Sequence, residues 1–365
     1  VSAPEPEVRD KEAGATRRRA RWRDPRVWIG LAITAVTLWL ALRDVSYGQL
    51  ARDLARADLP LVIAVSVPSY LLTMWLRALR WRYLTDAVCP IDRGPLFRAT
   101  AVGFLANNVF PLRIGEVVRA WHLARETRAG VAPIFGTIVL ERVIDGIAVV
   151  GMAMVIFGAR GGRAGSVLAV GIPLLLGAVV PLGGVLLLRF APESAVALAR
   201  GFARIFLPRR AGESIERLVR RTAEGLGSMQ GGSHLFWIVF HSVVIWLVLG
   251  VLPFVAGFRA LGIHLGTLRR ELSAAYVTLT AVGIAVALPS APGFFGPYHL
   301  AAREALARFG VGEELALALG TLSHAIMWLT TSAVGLAVLR FRATRLDELA
   351  EAASAPGKDP AAGGR

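Results

Sequence analysis

The chain has 365 residues, 55% of them hydrophobic, with a mean hydropathy of +0.56 and a formal net charge of +15. Several apolar runs are long enough to cross a hydrocarbon core of roughly 30 Å, so the main solvent is a bilayer and a water-soluble globule is excluded. The arginines cluster in short segments beside those runs, where the positive-inside bias puts them, which removes the case for a nucleic-acid partner.

In chain order, residues 1–26 form a basic, polar, disordered tail, expected in the cytoplasm. Val27 to Leu42 follows RRRARWRDPR and is followed by LALRDVSYG, with no small-x-small cleavage site. It reads as a retained signal anchor with a cytoplasmic N-terminus. Further spans are predicted at Leu59 to Leu76, Pro133 to Phe157, Val167 to Leu188, Leu235 to Ala256 and Leu315 to Leu339, with shorter apolar pieces at Leu96 to Phe110 and Leu272 to Leu288. Trp75 and Trp81 with Arg77, Arg80 and Arg82 fall where the second span meets the interface. They read either as an anchor for that span or as an interfacial access site for a lipid headgroup. The lone Cys89 near that end has no partner for a disulfide, and no spacing suits a metal.

Two stretches have the pattern of broken helices. LFRATAVGFLANNVF stops at Pro111 and continues as LRIGEVVRAWHLARETRAGV; SAAYVTLTAVGIAVALPSAPG breaks at Pro289 and Pro292 and continues as FFGPYHLAAREALARFGV. Irregular backbone at membrane depth is tolerated only inside protein or beside a water-filled cavity. The two units align: Gly115 to Arg142 is 27 positions and Gly296 to His324 is 28, with Glu116 and His299 shortly after each glycine. If the hairpins enter from opposite sides, six full spans keep both termini and the arginine-rich segment 189–233 in the cytoplasm. Against that arrangement, Arg259, Arg269, Arg270, Arg303 and Arg308 then face outward. Within 189–233, Ile215, Leu218, Thr222 and Leu226 share a helical face, suiting either an amphipathic helix on the inner leaflet or a solvated helix packed on its own loops. The fold class expected is an all-α integral membrane protein: about six transmembrane helices plus two re-entrant hairpins in an inverted repeat, spanning 27–342, with a disordered tail over 343–365.

The span TIVLERVIDGIAVVGMAMVIF carries Glu141, Arg142 and Asp145. Three central charges cost roughly 8 to 10 kcal/mol on the insertion scale, against about 4 to 8 kcal/mol returned by the large apolar residues, so the charges need partners. Candidates lie on the first hairpin: Glu116 for Arg142, and Arg113 or Arg119 for Glu141 or Asp145. Two readings fit, a static set of buried ion pairs or a ligand site. Guanidinium forks on Arg113 and Arg119 suit a phosphate, and Asn107 and Asn108 add neutral donors. His241 reads as a packed polar residue or a proton-coupling group.

RALRWRYL at Arg77, NNVFPLRIGEVVRAWHLARE at Asn107, LERVID at Leu140, and PSAPGFFG at Pro289, including Pro292, Gly293 and Gly296, resemble the lysylphosphatidylglycerol synthase transmembrane-region family, the flippase-like domains of multiple peptide resistance factors. The resemblance implies a membrane domain that moves lipids between leaflets of a bacterial cytoplasmic membrane: an anionic or aminoacylated phospholipid, or a polyprenyl-phosphate-linked lipid. It implies no cofactor and no enzymatic activity of this segment, and a separate lipid-modifying synthase or glycosyltransferase as partner. Only a short polar tail follows Arg340, so synthase activity is expected to be absent. Where that family usually carries an acid after the second PGxxG and an arginine in the last span, this chain has His299 and His324. Their double change predicts a direct, pH-sensitive contact. The alternatives are a non-transporting scaffold or regulator, or a membrane-embedded lipid-phosphate enzyme, although HExxH, GxSxG, P-loop and CxxC motifs are missing.

Overall fold

The computed structural model describes residues 25–86, 89–127, 129–159, 190–206, 232–287 and 290–341, with isolated positions 187, 213, 216, 219 and 220. The expected span from Val167 to Leu188 apart from position 187, the expected tails apart from Pro25 and Arg26, which belong to the first helix, and the face formed by Ile215, Leu218, Thr222 and Leu226 lie outside these residues.

Among the described residues all regular structure is helical. In chain order it comprises α1 (Pro25–Leu42), α2 (Tyr47–Arg56), α3 (Leu59–Thr85), α4 (Arg93–Val109), a 3-10 turn (Pro111–Arg113), α5 (Gly115–Glu126), α6 (Val131–Ala159), α7 (Pro192–Phe206), α8 (Gly232–Val243) running through a π-helical turn (Val244–Leu249) towards α9 (Leu252–Ala260), α10 (Leu268–Ala285), a second 3-10 turn (Pro292–Phe294), α11 (Pro297–Ala307) and α12 (Glu313–Phe341). Three runs are long and apolar enough to cross a membrane: α3, Phe236–Ala260 and α12. The pair α1 and α2, bent by 85°, makes a fourth if taken as one span.

Local chemistry accounts for the boundaries. The Asp58 carboxylate accepts from the Leu61 amide at 3.0 Å and Pro60 supplies a preset φ, so α3 starts there. Beyond Leu76 the sequence RALRWRYLT holds good helix formers and no Gly or Pro, so α3 runs to Thr85 instead of stopping at Leu76. Thr267 caps α10 through its hydroxyl.

The order helix, 3-10 turn, short helix, long helix occurs twice: α4, Pro111–Arg113, α5, α6, and α10, Pro292–Phe294, α11, α12. The long helix has 29 residues in both. Each 3-10 turn ends on a residue in the left-handed region, Arg113 (φ 55°) and Phe294 (φ 63°), a conformation costly for a residue with a Cβ. The short helices pack back on their partners, α5 on α4 and α11 on α10, and the units interlock: α12 packs on α4, α10 on α6, and the two 3-10 turns touch. Gly115 makes the first hairpin possible, because a Cβ there would lie 2.2 Å from the Gly103 carbonyl oxygen.

Each unit has its own apolar core. Trp81, Leu96, Leu123, Ile134 and Ile138 join α3 to the first unit. Phe254, Phe258, Leu279, Leu306 and Leu319 join α9 to the second. Large apolar side chains outside these cores, among them Trp28, Trp39, Leu72, Phe236 and Leu336, are exposed, as a lipid-facing surface requires.

Candidate functional site

The charges of α6 sit between α3 and α5. Glu141 is fully buried, with four guanidinium groups around it: Arg119 at 2.8 Å, Arg142 at 2.9 Å, Arg80 at 3.2 Å and Arg77 at 3.6 Å. Asp145, one turn on, meets Arg77 and Arg80 at 2.8 Å and Arg142 at 3.1 Å. The spacing explains the convergence: Glu141 and Asp145 share a face at i and i+4, as do Arg77, Arg80 and Trp81 at i, i+3 and i+4.

Neutral groups complete the frame. The Arg80 guanidinium donates to the Ser242 hydroxyl at 2.9 Å, and the Trp246 indole donates to Asp145 at 3.0 Å. Trp246 lies in the π-helical turn, whose extra residue re-aims the side chains of that span. Arg119 lies over the Trp81 ring at 3.7 Å, and that indole donates to Thr137 at 2.8 Å.

The sequence put Arg77, Arg80 and Trp81 where a span meets the interface; the structure puts them inside the protein. All three are buried in the charge cluster, because α3 continues past Leu76 and turns this face inward. Arg82, half-buried, makes none of the cluster's ion pairs. Of the pairs expected between hairpin and span, Arg119 with Glu141 forms. The ion pairs described for Glu116 and Arg142 are Glu116 with Arg113 at 3.5 Å, and Arg142 with Glu141 and Asp145; the expected Glu116–Arg142 pair is not among them.

Both asparagines serve the hairpin. Asn107 accepts from the Gly115 amide at 2.8 Å across the break, and Asn108 donates to Thr331 and Ser332 of α12 at 2.9 Å. Arg113 donates to the Val286 carbonyl and stands 5.5 Å over the Phe294 ring, so it ties the first break to the second. Ser242 and Trp246 carried no signal in the sequence, since each is one polar or aromatic group within an apolar span.

The cluster is not charge-balanced. Among the described residues four guanidinium groups face two carboxylates, and the adjoining Arg113 and Glu116 cancel, leaving two positive charges uncompensated. Within the cluster, the buried atoms without a hydrogen-bond partner are Nε of Arg77, Arg80, Arg119 and Arg142, Nη2 of Arg119, and the carboxylate oxygens Oε2 of Glu141 and Oε2 of Glu116. Arg142, at 37%, is the most exposed of the four side chains and opens the cluster outward.

At the corresponding place the second unit carries two histidines. His299 and His324 stand perpendicular with ring centroids 5.0 Å apart, so the contact expected between them exists. Nε2 of His324 donates to the Gly293 carbonyl at 2.7 Å, and its ring lies 4.6 Å from Tyr298 and 4.8 Å from Phe295. Pro292 starts the 3-10 turn, and Gly293 and Gly296 adopt φ of 73° and 90°. A Cβ on Gly296 would lie 2.4 Å from Thr37 Oγ1, so this glycine lets α1 dock. His241 is spent on the Trp237 carbonyl at 2.6 Å. Among the described residues no group of three or more His, Cys, Asp or Glu could hold a metal.

Residues 27–335 match the model of the lysylphosphatidylglycerol synthase TM region, and the chain belongs to that family. A protein named Glycosyltransferase AglD from Haloferax volcanii is 25% identical over 322 residues, 81% of this chain and 51% of that protein. A UPF0104 membrane protein from Methanothermobacter thermautotrophicus is 32% identical over 119 residues, 32% of this chain and 35% of that protein. The chain thus spans about half the length of the first relative and about a third of the second. No solved structure matches it.

Proposed function

We propose that this member of the lysylphosphatidylglycerol synthase TM region family carries a lipid between the leaflets of a bacterial cytoplasmic membrane, holding an anionic headgroup at the arginine cluster of α3, α5 and α6. The observation that carries the reading is the surplus of two buried guanidinium charges beside a helix break, with five N–H groups lacking acceptors. A buried charge without a partner costs several kcal/mol, roughly 3 to 5 when a pair is broken, so an anion is the expected occupant. Phosphate oxygens match guanidinium forks in geometry and in charge.

In this reading the two units are inverted repeats, six helices span the membrane and the N-terminus is cytoplasmic. The repeated element order and the touching 3-10 turns support it. Three of the five arginines that this topology puts outside have local partners: Arg259 with Glu271, Arg270 with the Phe309 carbonyl and Arg303 with Glu313. Candidate cargoes are anionic or aminoacylated phospholipids and polyprenyl-phosphate-linked lipids. The chain moves them without chemistry, and a separate synthase or glycosyltransferase makes or uses them. The archaeal relative with a glycosyltransferase name is matched over only half its length, which is consistent with a membrane part working beside an enzyme.

Leaflet-resolved lipid movement in proteoliposomes tests this. Wild-type protein accelerates movement of an anionic lipid, and Arg142→Gln and Arg119→Leu lose most of the acceleration while staying folded. No acceleration with any anionic lipid overturns transport, and formation of a new lipid product replaces it with an enzyme.

A further inference from the structure

Resting on the headgroup site just described, we infer that the cluster selects lipids ending in a phosphate monoester, a dianion, over phosphodiester and aminoacylated lipids. The argument is one of charge and space. Arg77, Arg80, Arg119 and Arg142 all lie within 3.6 Å of Glu141, and three of them within 3.1 Å of Asp145. Their surplus of two charges therefore occupies one compact locus, where two separate anionic headgroups would repel each other. A single phosphate monoester brings two charges and three free oxygens; a diester brings one charge and two.

The unpaired donors agree with that count. Nε and Nη2 of Arg119 form one free fork edge, and Nε of Arg142 belongs to the guanidinium that opens outward. Among the described residues the flanks add no balancing charge: Arg113 and Glu116 pair with each other, and Arg98 pairs with Glu126 at 2.6 Å. An aminoacylated headgroup carries its own ammonium, which meets four guanidinium groups here against two carboxylate oxygens without a hydrogen bond, Oε2 of Glu141 and Oε2 of Glu116, and those carboxylates are already ion-paired with Arg119 and Arg113. The corresponding part of the second unit, His299 and His324 among Tyr298 and Phe295, offers no carboxylate for an ammonium either.

The test is binding to the full chain in phosphatidylcholine nanodiscs, with phosphatidic acid, phosphatidylglycerol, lysylphosphatidylglycerol and inorganic phosphate as probes, each followed by native mass spectrometry and thermal shift. Phosphatidic acid is expected to bind about tenfold more tightly than phosphatidylglycerol at pH about 7.5, since one more charge meets the same donors. The advantage shrinks towards pH about 5, because the second phosphate ionisation lies near about 6, whereas phosphatidylglycerol binding stays flat. Arg142→Gln removes one of the two surplus charges and cuts the ratio; the wild-type pH series decides the matter even if that variant fails to fold. Equal binding of the two phospholipids, or tighter binding of lysylphosphatidylglycerol, overturns the selectivity but leaves anionic-lipid transport standing. Failure of every lipid overturns the transport reading itself. Displacement of phosphatidic acid by inorganic phosphate at equal concentration overturns the lipid assignment in favour of a free-anion site.

Discussion

Glu141→Gln removes one carboxylate oxygen charge from a point where four guanidinium groups meet within 3.6 Å. The substitution keeps shape and some hydrogen bonding but raises the local surplus from two positive charges to three, with Glu141 fully buried. Breaking a buried pair from one side costs about 3 to 5 kcal/mol. Arg142→Gln acts in the opposite sense: it lowers the surplus to one and leaves Glu141 with Arg119, Arg80 and Arg77 and Asp145 with Arg77 and Arg80, so its cost is expected to be smaller than that of Glu141→Gln. Combining Glu141→Gln with Arg119→Leu should recover about 1 to 3 kcal/mol relative to the sum of the single effects, the coupling typical of neighbours in one network. Unfolding in mixed detergent micelles, followed by tryptophan fluorescence, measures all four proteins. If Arg142→Gln destabilises as much as Glu141→Gln, or the double variant is simply additive, the surplus-charge argument is wrong.

Three other outcomes follow from the geometry. Gly115→Ala sets a Cβ 2.2 Å from the Gly103 carbonyl and should lower stability by about 1 to 3 kcal/mol or abolish expression, while Gly146→Ala, with nothing within 4 Å, should be neutral in the same thermal melt. Asn108→Leu loses the amide's bonds to Thr331 and Ser332 and deprives the buried Ser332 hydroxyl of its donor, while Thr331 keeps its bond to the Met327 carbonyl, a cost of about 1 to 3 kcal/mol in the unfolding assay. Burial, aided by Asp86, pushes the Cys89 thiol above its ordinary value, so the thiolate is scarce at neutral pH. Labelling of Cys89 by a membrane-impermeant maleimide should therefore be slow and keep accelerating as pH rises through and beyond that ordinary value, and it should occur from the N-terminal side of the membrane. Labelling only from the opposite side sinks the topology.

Much of the scaffold was legible. Apolar run lengths found α1, α3, α6, α8 with α9, and α12, and the prolines after each half-helix found both hairpins, because Pro and Gly punctuate a chain by local sterics alone. The cost of three charges in one helix pointed to the charge cluster and to Arg119 as a partner of Glu141. Arg77 and Arg80 were misplaced for an identifiable reason: an apolar run that ends in Arg and Trp looks the same whether the helix stops at the interface or continues with that face turned inward. Only packing against α6 distinguishes the two. Trp246 was illegible because a π-helical turn shifts side-chain direction by one residue without a compositional mark. The contact of His299 with His324 was readable because two residues had changed together relative to a known pattern, and geometry bears it out.

Arg303 of α11 donates to three carbonyls at the end of α1, those of Leu40, Ala41 and Arg43, and also pairs with Glu313. The separation along the chain from Leu40 is 263 residues. At 5 to 20 residues per second, α1 emerges roughly 13 to 50 s before the side chain that closes its C-terminal end has been synthesised. During biogenesis the first helix therefore has to wait in the membrane with that end solvated or held by the insertion machinery, and it reaches its final seat only when the last quarter of the protein arrives.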